Sequence, residues 1–282
     1  MPHDALIDRF LHRGRNILLA RGRFTDLFAD YWEHSGRWVG EPDGLVSVMM
    51  SQGLAAAALY LTTRPPDEET AWTINLPEPP LNLFFVADAS RGRVVGRFYD
   101  RHVRSEANSR LFVQRVRGAD TPYESVIEVR GFDVLDMLES YYAQSEQSSA
   151  RFFEDERAEN GERDVFFMVM ALPGIDEAWL RGLDLDRARD LFHDPGTAFI
   201  ERRAVIFSCA CDESRLMELA VSIFSRRPEE LFGEDGWAEI FCPRCGRAYE
   251  IEREAFDRFV AEKQEERAPE EGDAGDAGDE SR

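Results

Sequence analysis

The sequence predicts an α+β protein: a mixed α/β N-terminal core domain, a short helical linker, a small C-terminal four-cysteine domain and a disordered acidic tail. Three observations carry this. Strand-like runs and a few helical ones interleave over residues 1–174. All four cysteines fall within residues 205–251, as Cys209-Ala210-Cys211 and, thirty residues on, Cys242-Pro243-Arg244-Cys245. The chain ends EEGDAGDAGDESR, acidic, Gly/Ala-rich and without aromatics, a composition that cannot bury a core. The expected boundaries are core 1–174, linker 175–204, cysteine domain 205–261 and tail 262–282.

In chain order, the run around RNILLA, within residues 4–20, reads as a strand. Phe24, Leu27, Phe28 and Tyr31 recur at helical spacing through Trp32. Residues 44–63, GLVSVMMSQGLAAAALYLTT, are uncharged and long enough to cross a bilayer. Ser47, Ser51, Gln52 and Gly53 interrupt them, however, and no basic cluster or aromatic belt flanks them. A helix apolar on most sides also suits the centre of a large core, and that is the expectation here. Strands are expected at 71–76, 83–89 and 93–100, the last two joined by Ser90-Arg91-Gly92. PEPPLN (77–82) reads as loop or edge, because proline cannot donate to a ladder. Further strands are expected at 111–118, 125–130 and 164–172, with an amphipathic helix over 133–147.

Residues 175–204 are charged and hold one short amphipathic helix, 183–192. RAVIF (203–207) then leads as a strand into the cysteine domain. There Asp212 caps a helix reaching Ser225, with Leu216, Leu219, Ala220 and Ile223 inward. Pro228 starts a second short helix, and AEIF and RAYEI flank CPRC as a hairpin. Leu231, Trp237 and Ile240 are also expected to face inward.

CPRCG has the form of a zinc knuckle: Pro243 fixes a turn and Gly246 takes positive φ, folding backbone N–H groups toward the sulfurs. Two close thiolate pairs suit a closed tetrahedral Zn(II) site, one ion per chain, with Cys209, Cys211, Cys242 and Cys245 as ligands. Structural disulfides or four unrelated buried thiols are the bland readings. The chain opens MPHDALIDRF, without an apolar signal region, so a cytoplasmic address is expected, and standing disulfides are disfavoured there. A disulfide across Ala210 alone would close a strained, easily reduced ring, whereas Cys242 and Cys245 would close a relaxed one. Little apolar sequence surrounds the cysteines, so metal is expected to supply most of the folding free energy.

The formal net charge of −21 argues against nucleic acid, whose phosphates call for basic surfaces. No P-loop, G-x-G-x-x-G, G-x-S-x-G or H-E-x-x-H occurs. His3, His12, His34, His102 and His193 are scattered, and four cysteines leave no open metal position for hydrolysis. No enzyme activity is therefore expected.

In CAC followed by CPRCGRAY, in MLESYYAQSEQ (137–147) and in Leu191-Phe192-His193-Asp194, the chain resembles the redox-regulated 33-kDa heat-shock chaperones, zinc-containing bacterial holdases. The resemblance is strongest over residues 121–253 and loose over the first hundred. PEPPLN stands in place of the family's Gly-rich core turn, and the linker is shorter than in most members. It implies an ATP-independent chaperone for unfolding client proteins, inactive while its cysteines are reduced and zinc-bound. Oxidation to Cys209–Cys211 and Cys242–Cys245, with zinc expelled, would activate it and favour a homodimer. The linker, losing its support, would then expose Leu183, Leu185, Leu191, Phe192 and Phe199. Spacing alone leaves three disulfide connectivities open. The alternative is a constitutive zinc-ribbon protein-interaction module without a redox switch. A C-x-x-C oxidoreductase ranks below both, because no thioredoxin-like βαβ pattern surrounds CPRC.

Overall fold

Apolar alternation builds one ten-stranded sheet in the computed structural model, which describes residues 3–101, 103, 107–156 and 162–267. His102 and the tail beyond Arg267 lie outside these residues. Two units are present: Met1–Cys209 with Arg244–Gly246, and Ala210–Pro243 with Arg247–Arg282. The α+β class is as expected.

The first unit opens with a hairpin, β1 (Ala5–His12) and β2 (Ile17–Arg23), where the sequence suggested one strand. Asn16, at φ +52°, reverses the chain, a conformation asparagine tolerates better than most residues. Helices α1 (Thr25–Trp38) and α2 (Gly44–Thr62) follow, then a meander of β3 (Glu68–Pro77), β4 (Pro80–Asp88), β5 (Arg93–Tyr99), β6 (Arg110–Arg117) and β7 (Tyr123–Glu128). After α3 (Val134–Gln144) come β8 (Ala150–Asp155), β9 (Val165–Ala171), α4 (Glu177–Arg181), α5 (Leu185–Asp190) and β10 (Thr197–Phe207). The sheet order is β7-β6-β3-β4-β5-β10-β1-β2-β9-β8. Neighbours are antiparallel except β5 and β10, which meet in parallel only through Ile206↔Arg93 and Phe207↔Val94.

Four expectations need correction. PEPPLN is not a loop: β3 runs to Pro77 and β4 starts at Pro80, the two paired at the hairpin tip, where a missing N–H removes little of the ladder. Strand β8 was not foreseen. The single helix expected over 183–192 is a helix capped by Asp184 and then a 3-10 turn, Leu191–His193. Residues 197–204, expected in the linker, are strand β10 inside the sheet. Cross-strand ion pairs on its two faces hold it to β1, Arg202 Nε donating to Asp8 at 2.6 Å and Arg9 pairing with Glu201.

Helix α2 is buried over most of its length, as its composition requires, and 72% of its most apolar window is inside the protein. Asp43 caps it by accepting the Val46 N–H. Gly53 permits close approach to the sheet: a Cβ there would lie 2.1 Å from the Phe85 ring. Strands β2 and β9 read as continuous apolar runs because both their faces are covered. Phe166 meets Phe24 and Phe28, while its neighbour Phe167 stacks on Phe153 and meets Phe192. On the Phe167 side, Leu180, Leu183, Ala188 and Leu191 pack against Ile17, Leu19 and Val169. The segment 176–193 is therefore part of a core. Arg151 ties it down through the carbonyls of Arg181 and Leu183, both at 2.9 Å, and Arg189 pairs with buried Asp155 at 2.6 Å.

Asp88, at the end of β4, gives the first unit an acid-sensitive point. Its carboxylate accepts from Ser90 Oγ at 2.5 Å and Arg93 Nε at 2.9 Å. Burial alone would raise its pKa, but the Ser90 hydrogen bond and the Arg93 charge outweigh this and hold it below the usual carboxylate value. A depressed folded-state pKa contributes stability that is present above the unfolded value, near 3.9, and lost as pH falls through the folded one. Asp88→Asn should therefore lower the unfolding free energy from urea titration at pH 7 by about 1–3 kcal/mol, and flatten its decline below about pH 4. An unchanged acid limb would count against this assignment.

The second unit contains α6 (Glu213–Phe224), α7 (Glu229–Phe232), the hairpin β11 (Trp237–Phe241) and β12 (Ala248–Glu252), and α8 (Arg253–Arg267). Asp212 caps α6 through the Arg215 N–H and Pro228 starts α7, as expected. Helix α8 was not foreseen. It carries Glu262–Arg267, which the sequence assigned to the tail. Met217, Ala220, Phe232, Ala238, Ile251 and Phe256 form the core. Leu216 and Ala220 are inward as expected, but Leu219 and Ile223 are exposed, because α6 turns Met217 rather than Leu219 toward the hairpin. Trp237 is also exposed, at 53%: strand alternation that buries Ala238 must turn Trp237 outward.

Candidate metal centre

The four cysteines come from two chain reversals. Cys209 and Cys211 follow β10 and end where Asp212 begins α6; Arg215 Nη1 donates to the carbonyl of Ala210 between them at 2.9 Å. Cys242 closes the β11–β12 hairpin by donating its N–H to the Arg247 carbonyl at 2.8 Å. Gly246 stands at φ +82°, the conformation expected of the knuckle, and a Cβ there would come 2.6 Å from Val39 Cγ2.

These turns gather what lies far apart in sequence. The sulfurs of Cys209, Cys211, Cys242 and Cys245 all lie within 4.8 Å of one another. A tetrahedral zinc–thiolate site, with Zn–S near 2.3 Å, needs sulfurs roughly 3.8 Å apart, so the cluster fits such an ion without rearranging the backbone. Cys242 and Cys245 are buried, whereas Cys209 and Cys211 are half-exposed. The cluster includes no histidine or carboxylate; His193 sits in its 3-10 turn instead.

Side chains that sequence reasoning missed hold the knuckle in place. His34 Nε2 donates to the Cys245 carbonyl at 2.8 Å, which fixes its tautomer. Arg244 makes a two-pronged contact with Glu69, at 2.8 and 3.2 Å. No local signal marks His34 or Glu69. Tyr249, the aromatic after the knuckle glycine, donates to the Cys211 carbonyl at 3.0 Å and lies 3.3 Å from its sulfur. Burial, then that sulfur, pushes the Tyr249 phenol up to about 12.

This architecture recurs in known proteins. The structure of the 33 kDa chaperonin (heat shock protein 33 homolog) from Thermotoga maritima superposes with a TM-score of 0.70, covering 93% of this chain and all of that one. At 16% identity, this likeness concerns the fold alone. The 33 kDa chaperonin of Azotobacter vinelandii is 26% identical, over 86% of this chain and 90% of that protein. The one from Shouchella clausii is 21% identical, over 87% and 93%. Fold and relatives define the class: an α+β chaperone, here with a C-terminal cluster of four cysteines. The family model described as Hsp33 protein matches residues 41–252, and the chain belongs to the Hsp33 family.

Proposed function

We propose that this chaperone is an ATP-independent holdase controlled by the oxidation state of Cys209, Cys211, Cys242 and Cys245. The observation that supports this most is the gathering of four cysteine sulfurs at one point. In the reduced state these residues would hold one Zn(II), which supplies charge compensation and keeps the sulfurs as thiolates. Each pair then surrenders two electrons to a peroxide, which is reduced to water, and one sulfur–sulfur bond forms per pair: Cys242–Cys245 and Cys209–Cys211. The relaxed Cys242–Cys245 ring is expected to close first under peroxide, ahead of the strained Cys209–Cys211 one. Such chemistry belongs in a reducing cytoplasm.

The source of client-binding surface differs from the sequence expectation. Leu183 and Leu191 are at most 5% exposed against the sheet of the first unit, so losing the cysteine unit does not by itself free them. Phe199 is already exposed. The surface released on oxidation is instead the core of the second unit, Met217, Phe232, Ile251 and Phe256. Peroxide-treated protein, and not the reduced zinc-loaded form, should suppress aggregation of a thermally unfolding client without ATP. Zinc release should rise in step, and reduction with zinc present should reverse both. Equal protection by the reduced form would sink the switch and leave the constitutive module.

A further inference from the structure

The outer face of the β11–β12 hairpin combines two features that no part of the switch requires. Pairing places Trp237 opposite Glu252, Glu239 opposite Glu250 and Phe241 opposite Ala248, so these side chains share one face. Trp237 and Phe241 are 53% and 48% exposed, about 13 Å apart along the strand. Between and beside them stand three exposed carboxylates, Glu239, Glu250 and Glu252, none of which makes an ion pair among the described residues. Like charges directly opposite each other destabilise a strand pair, and the two aromatics flanking them leave apolar surface in water. A cation with an apolar stem relieves both, seated between the carboxylates and over the indole ring.

The geometry points to a docking surface for an arginine- or lysine-bearing segment of a partner protein, carried by the folded, reduced second unit. Charge favours this occupant. Residues 210–243 and 247–267 hold 15 acidic and 8 basic side chains, so the field around the hairpin draws in basic chains. The same charge opposes a second copy of this face and excludes nucleic acid and anionic lipid. The inference does not depend on the redox reading, since it needs only the folded hairpin.

The test uses the full-length, reduced, zinc-loaded chain and a fluorescent peptide of arginine–alanine repeats, followed by anisotropy at low and moderate salt. The peptide should bind with strong salt dependence, and the matching glutamate–alanine peptide should not bind. Trp237→Ala should weaken binding roughly tenfold, the scale of a cation–π contact. Trp237→Phe should restore most of it. Because Trp237→Ala could disturb the hairpin, a second variant replaces exposed side chains only: Glu239→Gln/Glu250→Gln/Glu252→Gln should weaken binding at least as much, with zinc content unchanged. Removing three carboxylates from the tail, Glu270→Gln/Glu271→Gln/Asp273→Asn, should change affinity less than twofold. An equal loss in that control would show adsorption to acidic sequence in general and overturn the proposal. So would unaltered binding by the hairpin variants, no peptide binding, or a concentration-dependent dimer abolished by Trp237→Ala.

Discussion

Serine at both Cys242 and Cys245 should yield protein that contains no zinc and whose second unit is unfolded, while the first unit keeps its structure. Removing two of four thiolates leaves a tetrahedral shell half empty, and among the described residues the cluster offers only cysteines to fill it. A structural zinc of this kind contributes about 10–16 kcal/mol to folding. That equals or exceeds the whole net stability of a typical domain, about 5–15 kcal/mol. The second unit has little in reserve: among the described residues its core cluster holds six buried side chains, two of them alanines. The first unit holds its own core, with Trp72, Tyr31, Tyr60 and Phe85 almost fully enclosed. Helices α4 and α5 belong to that core through Leu180, Leu183, Ala188 and Leu191. Amide spectra of the variant should therefore lose dispersion for α6 to α8 and retain it for α2, β4 and α5. Normal zinc content by metal analysis, or a dispersed β11–β12 hairpin without metal, would refute this account. Loss of the α5 signals would instead restore the linker to the role that the sequence suggested.

Local chemistry was legible in the sequence, and cross-strand chemistry was not. Asp212, capping α6, announces itself within four residues, and the cysteine spacing announces the cluster. Apolar strands β2 and β9 were visible because both faces are buried. Strand β8 was missed: it is short, and its two adjacent phenylalanines are both buried, so period-two alternation is absent. The early part of β10 was assigned to a linker because residues such as Glu201 and Arg202 look like a solvated charge run. Their partners Asp8 and Arg9 lie some two hundred residues away in sequence, where no local window reaches. Trp237 was placed inward on hydrophobicity alone, yet strand alternation, read from Ala238, already placed it outside. Of the knuckle's surroundings, Tyr249 was visible in CGRAY, whereas His34 and Glu69 depend on the fold of the first unit.

Ser145-Glu146-Gln147, the end of MLESYYAQSEQ, yields the last prediction, because its function in the fold is electrostatic. Glu146, 11% exposed, accepts from the Tyr141 hydroxyl and pairs with Arg115 at 2.9 Å and Arg64 at 3.6 Å. Arg64 also holds buried Glu68 at 2.7 Å, so two guanidinium groups balance two carboxylates beside Tyr60 and Tyr141. Burial, together with the negative neighbours, pushes the Tyr141 phenol far above its usual range, so it acts here as a donor only. Deleting one carboxylate leaves an uncompensated positive charge and a buried hydroxyl without its acceptor. Breaking a buried pair in this way costs about 3–5 kcal/mol, and with both arginines 19% exposed the lower end applies. Glu146→Ala should accordingly lower the melting temperature of the first unit by roughly 10 °C. Glu146→Gln keeps an acceptor for Tyr141 but not the charge, and should fall between wild type and alanine. The double variant Arg115→Met/Glu146→Leu removes a charge of each sign and should recover much of the loss, because the desolvation of both groups disappears with them. Denaturant titration of the reduced chain measures all three. A loss below about 1 kcal/mol for Glu146→Ala would mean that solvent screens the pair and that the motif is held by packing alone.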